Sequence, residues 1–321
     1  MNPAPSTAPQ ALTVRVLGSA AGGGFPQWNC NCRQCAAVRA GSPHHRARTQ
    51  SSIAVGGPQD WLLVNASPDI LTQLQRSPAL QPARALRDSG IAAVLLCDGQ
   101  IDHSTGLFML RERGRPLPLW STRPAHEDLS QGNPILRVLG HYCGVDWHEL
   151  PLDGTAVRLP AALEAPQLAP LRITALPLDS KPAPYSPHRE APVEGDNVGL
   201  VLENTATGGR VFYAPGLGAI SPAVWAAMNS VDAVLVDGTF WTDDEMITLG
   251  FSRKTARDIG HLPQSGAGGM LEVLGRLPVR TRKLLIHINN TNPILDEASP
   301  ERRAVEAAGV EVSFDGLELL F

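Results

Sequence analysis

No stretch of this 321-residue chain comes near the ~18 consecutive apolar residues that a membrane-spanning helix needs, which excludes a membrane span. Charge is sparse and balanced: 18% of the residues are charged, the formal net charge is -4, and no block of one sign stands out. Binding to nucleic acid or to anionic lipid calls for concentrated positive charge, so neither partner is expected. The start, Met1 to Gln10, is rich in Pro, Ser and Ala but has neither the basic opening nor the apolar core of a signal peptide. A cytoplasmic protein is therefore expected, with residues 1–10 as a disordered tail.

Cysteine is also scarce, and its five copies are an odd number. Three of them, Cys30, Cys32 and Cys35, fall within six residues. Such close spacing strains any disulfide between them and leaves one thiol over. It suits a metal instead, because thiolates on a tight turn converge on one tetrahedral ion, and zinc accepts three sulfurs and one further ligand. With four protein ligands such a zinc is structural. Cys97 and Cys143 stand alone and read as small buried residues.

What the chain does have is a series of short apolar runs that end in polar clusters. Thr13 to Leu17 reads as a strand leading into the glycine-rich Gly18 to Pro26, whose spacing fits no nucleotide-binding motif; it is a loop that must come close to something. Ser51 to Val55 and Trp61 to Val64 read as a hairpin, with a helix from Ile70 to Gln75. Ile91 to Leu96 is a buried strand that runs into Asp98-Gly99-Gln100-Ile101-Asp102-His103. Lys181 to Glu194, with four prolines, is an irregular loop, and one of this length inside a domain is a candidate lid. Further on come a hairpin over Asn197 to Ala214, a strand Val231 to Val236 ending in Asp237, and a strand Lys283 to Ile286 ending in His287. The last helix is marked by Ser299 as cap, Pro300 at its first position and Gly309 beyond its end, and a final strand is expected over Glu311 to Phe314.

In α/β sheets, ligands gather at the carboxyl ends of strands. Asp102 and His103 next to each other serve one ion only where the backbone is irregular, as in a strand-to-helix loop; the same pair in a loop also serves as a cap or a solvated turn. Together with His287 they make two imidazoles and one carboxylate, a set that suits non-haem iron(II) with open positions for oxygen and substrate. Asp237 is either a fourth ligand or the acceptor that orients a histidine. His261 precedes a helix, and acid/base chemistry and metal ligation are both open to it.

The run Asp98-x-Gln100-x-Asp102-His103-x-x-Gly106-Leu107 resembles the metallo-β-lactamase superfamily, whose signature is His-x-His-x-Asp-His followed by Gly-Leu. The resemblance implies a four-layer αββα sandwich of the α/β class, forming one domain over residues 11–321 with a zinc loop near 28–35. Asp98 and Gln100 replace the two histidines of the first metal site, so only the second, Asp102, His103 and His287, is intact. The bridging Asp of the superfamily is missing too, with Tyr213 to Gly216 in about its place, which disfavours a dinuclear hydrolase. Within the superfamily, the stretches Gly18 to Cys32 and His287 to Leu295 resemble the branch that takes part in making pyrroloquinoline quinone (PQQ).

That resemblance implies Fe(II) on Asp102, His103, His287 and Asp237, molecular oxygen as co-substrate, and hydroxylation of the tyrosine ring of a Glu-Tyr-derived PQQ precursor. His261 and Asp98 are then the candidate catalytic residues, and other PQQ-synthesis proteins are expected partners. An older description of the branch implies a carrier that helps PQQ or its precursor to reach the periplasm, and a mononuclear zinc hydrolase is a third reading. A related branch takes its fourth zinc ligand from a histidine three residues after the late metal ligand; that place is held here by Asn290, a poor zinc ligand. Assembly as a homodimer is left open.

Overall fold

The computed structural model describes residues 10–321, so the expected tail lies, apart from Gln10, outside the described residues. Among the described residues, thirteen strands form two sheets. The first contains β1 (Thr13–Gly18), β2 (Ser52–Gly56), β3 (Trp61–Val64), β4 (Ile91–Leu95), β5 (Leu117–Ser121) and β6 (Val145–Glu149). The second contains β7 (Leu171–Pro177), β8 (Val198–Asn204), β9 (Arg210–Ala214), β10 (Ala233–Asp237), β11 (Arg282–Ile286) and β12 (Glu311–Val312), in the order β12-β11-β10-β9-β8-β7. The last strand, β13 (Glu318–Leu320), returns to the first sheet, whose order is β13-β1-β2-β3-β4-β5-β6.

Side chains alternate across a strand, and here both faces find apolar partners. Ile53, Val55, Leu62 and Val64 of the first sheet meet Leu200, Leu202, Leu235 and Ile286 of the second in a shared inner core. Their neighbours Ala54 and Leu63 face outward, against Ile70, Leu107 and Leu129. On the far side Val234, Val236 and Leu285 pack on Val224, Met228, Met270 and Val305 of the outer helices. Helices, sheet, sheet, helices: this is the expected four-layer sandwich.

Two expectations change. The final strand is only Glu311–Val312, a short parallel edge of the second sheet, because the chain must then cross to the other sheet. Beyond it lies a strand that the sequence did not mark, β13, antiparallel to β1 with Val14 opposite Leu319. The last helix, Pro300–Ala307, starts as expected: Ser299 Oγ accepts from Arg302 N at 2.9 Å.

Candidate metal centre

The two sheets bring the carboxyl ends of β4, β10 and β11 to one edge. Ala20 bridges both Gln50 and Ile288, and Asp98 bridges Asn197, so the loops above the sheets are stitched together there. The glycine-rich loop passes over this edge. A Cβ on Gly22 would lie 3.2 Å from Asp102 Oδ2, which is the close approach its composition calls for.

Asp102 and His103 lie in a one-turn helix, Ile101–Ser104, and the expectation of irregular backbone is corrected. Adjacent helical side chains diverge by about 100°. They meet again because Asp102 reaches sideways to His287, its Oδ2 lying 3.2 Å from His287 Nε2 and 3.8 Å from His103 Nε2. The His103 ring is buried and its Nδ1 lies 2.8 Å from Asp98 Oδ2. That contact holds the proton on Nδ1 and leaves the Nε2 lone pair free, and Nε2 has no hydrogen-bond partner among the described residues. Ligand atoms of Asp102, His103 and His287 all lie within 4.8 Å of one another. A buried imidazole nitrogen with an unused lone pair beside a carboxylate and a second imidazole fits a metal ion. Burial works against charge on His103, but Asp98 and Asp102 together carry it up to about 9. Burial also opposes charge on Asp102, yet His103 and His287 hold its carboxyl well below the usual range.

Asp98, expected as a catalytic group, accepts from His103 Nδ1 at 2.8 Å and from Gln100 N at 2.9 Å. Asp237, expected as a fourth ligand or as the acceptor that orients a histidine, makes contacts of the second kind. It is fully buried; Oδ1 accepts from Thr239 N and Thr239 Oγ1, at 2.9 and 2.5 Å. Its Oδ2 accepts from Leu217 N at 2.9 Å and from His261 Nδ1 at 2.6 Å. Both oxygens are doubly engaged, and Asp237, His261 and His287 also converge within 4.8 Å. Burial opposes charge on both partners; the ion pair nevertheless lowers the pKa of Asp237 and raises that of His261. Thr239 was not singled out by sequence, and its only signal is its place two residues beyond the strand-ending Asp237.

A cavity of about 310 Å³ opens over this cluster, lined also by Lys181, Arg189, Asn197, Gly216, Phe240 and Asn289. Gly216 lies in the stretch where the superfamily resemblance calls for a bridging Asp, and it brings no side chain. The loop 181–194 forms one wall. Tyr185 donates its hydroxyl proton to Gly99 O, and Gln100 Nε2 donates to Lys181 O at 3.2 Å. Gln100 is thereby committed to the loop.

Cys30, Cys32 and Cys35 form a second cluster, their sulfurs within 4.8 Å of one another. Cys32 caps the helix Arg33–Arg39 and Cys35 is buried in its first turn. Asn290 Nδ2 lies 3.1, 3.7 and 3.4 Å from the Sγ atoms of Cys30, Cys32 and Cys35. Burial pushes the Cys32 thiol up to about 11, whereas hydrogen bonds from Cys32 outweigh burial at Cys30 and lower it. All five cysteines are free, and the other two lie apart from the cluster. Three convergent sulfurs under one amide fit zinc, with the Asn290 side-chain oxygen within a half-turn of facing it.

A β-lactamase superfamily domain matches residues 60–288. Coenzyme PQQ synthesis protein B of Azoarcus sp. (strain BH72) is 61% identical over 309 residues, covering 96% of this chain and 99% of that protein. The protein of the same name from Methylococcus capsulatus is 54% identical over 310 residues, covering 96% of this chain and 100% of that one. Among solved structures, zinc-bound PqqB from Methylobacterium extorquens superposes with a TM-score of 0.83 at 38% identity, over 96% of this chain and 99% of its own. A diphosphatase of the PhnP family shares the fold, with a TM-score of 0.66 at 18% identity over 97% of each chain.

Proposed function

The chain belongs to the coenzyme PQQ synthesis protein B family of the β-lactamase superfamily, and on that premise we propose that it acts in PQQ biosynthesis as an iron-dependent, oxygen-using hydroxylase. Its substrate is the tyrosine ring of a Glu-Tyr-derived precursor. The observation that carries the reading is the free Nε2 of His103, aimed with His287 at Asp102 Oδ2 beneath an open cavity. Two imidazoles and one carboxylate leave positions open for oxygen and substrate, as iron(II) oxygenases require.

Asp102, His103 and His287 would hold the iron, which when bound supplies the reduction of oxygen. One oxygen atom enters a ring C–H bond as a phenol and the other leaves as water, so two electrons and two protons come from a small-molecule reductant. Asp98 keeps His103 in the tautomer that offers its lone pair. Lys181 and Arg189, on the cavity wall, suit the carboxylates of a Glu-Tyr-derived substrate and fix the ring over the site. His261, its Nδ1 proton held by Asp237, turns its other ring nitrogen to take or return a proton at the substrate phenol. The loop 181–194 screens the site from water. No helix of the described residues is long and apolar enough to cross a membrane, and the proposed place of action is the cytoplasm, with the precursor or PQQ and other PQQ-synthesis proteins as partners.

The test is oxygen uptake by anaerobically iron-loaded protein given a Glu-Tyr-derived substrate. Uptake with a hydroxylated product, both abolished in His103→Ala, is expected. A second reading, a carrier of PQQ toward the periplasm, draws on the commitment of Asp98 and Gln100 to neighbours where the superfamily has metal ligands. It is favoured if no oxygen is consumed while His103→Ala binds PQQ as well as the parent.

A further inference from the structure

We propose that Thr239 is a positioning residue of the metal seat, its hydroxyl linking Asp237 to His287 so that this ring keeps its proton on Nδ1 and its lone pair on Nε2. The inference rests on Asp102, His103 and His287 as metal ligands, and not on the reaction carried out there.

A hydroxyl has one proton and two lone pairs. Four groups surround this one. Thr239 Oγ1 lies 2.5 Å from Asp237 Oδ1, 2.9 Å from His287 Nδ1, 2.9 Å from His287 O and 3.1 Å from His261 Nδ1. The carboxylate and the carbonyl only accept. His261 Nδ1 has a better acceptor in Asp237 Oδ2 at 2.6 Å, and its proton goes there. Thr239 Oγ1 therefore accepts from His287 Nδ1 and donates to Asp237 Oδ1, the nearer and charged acceptor. One buried carboxylate then serves two rings, His261 directly and His287 through the hydroxyl. Asp98 does the same for His103 from the other sheet. Both rings consequently turn Nε2 to the same point, 3.8 and 3.2 Å from Asp102 Oδ2.

The backbone depends on the same residue. His287 has a φ of 61°, in the left-handed region that non-glycine residues rarely adopt. Thr239 braces this stretch at two points: its Oγ1 lies 2.9 Å from His287 O, and its main-chain carbonyl accepts from Asn289 N at 3.1 Å. Valine would keep the branched shape and lose the link; serine would keep the hydroxyl. Removing the partner of a ligating histidine's other nitrogen weakens metal binding by about 10–100-fold.

Zinc is the probe, titrated in competition with a chromophoric chelator. The relevant site is the one lost in His103→Ala, so that zinc on the cysteine cluster is not counted. Thr239→Val is expected to weaken this site about tenfold or more and Thr239→Ser to stay near the parent. In nitrogen-15 spectra of the zinc-loaded parent, His287, identified by its loss in His287→Gln, is expected to carry its proton on Nδ1. Parent-like affinity in Thr239→Val, or a proton on Nε2 of His287, would overturn the proposal. The spectra do not need the valine variant and decide the matter even where it fails to fold. A parent with no zinc site sensitive to His103→Ala would bring down the metal seat itself, and this inference with it.

Discussion

Glu245 ties the site loops together. Its carboxylate accepts from Trp241 N at 2.7 Å and from the Thr291 hydroxyl, joining the helix Glu245–Thr248 to the loop that follows His287. Burial, only partly offset by these hydrogen bonds, pushes the carboxyl from 4.5 up to about 7. Between those two values the folded protein keeps a proton that the unfolded chain has released. The folded state binds more protons, so unfolding free energy falls as pH rises through that window. The stabilising contribution is complete below about 4.5 and gone above about 7. Thermal unfolding of the parent and of Glu245→Gln across this range is expected to show a steeper decline in the parent. Parallel curves would contradict the burial account.

Strand β13 buries a single residue. Leu319 is 3% exposed in the inner core while its neighbour Leu320 is 76% exposed. Leu319→Ala is expected to cost about 2–5 kcal/mol in urea unfolding, and Leu320→Ala little. Equal effects would mean that β13 is not held by its inner face. The same strand shows where sequence reading stops. Runs such as Ile91–Leu95 or Ala233–Asp237 are legible because they are apolar on both faces and bounded by polar loops. Glu318–Leu320 has three residues, too few for a period, and becomes a strand only because β1 is there to pair with it. The one-turn helix Ile101–Ser104 was hidden for a similar reason: its polar residues face a site instead of solvent.

Across the whole molecule, one loop serves both metal clusters. His287 points into the cavity and Asn290, three residues on, closes over Cys30, Cys32 and Cys35. Cys32→Ser is expected to lose about one zinc per chain by metal analysis, and full retention would remove the structural site. The candidate ligands Asp102, His103 and His287 were legible as a group, because strand ends in an α/β fold concentrate such residues. Their pairings were not. Asp98 on His103 and Asp237 on His261 each fill a carboxylate that sequence alone left free, and the Thr239 link to His287 spans 48 positions that only sheet packing brings together. These pairings leave Asp102, His103 and His287 as the proposed metal seat. The most direct test supplies the iron-loaded protein and a Glu-Tyr-derived substrate with oxygen-18 gas. One labelled atom in the hydroxylated ring, absent in His103→Ala, is the expected result; a product without label, or labelled equally in that variant, would contradict it.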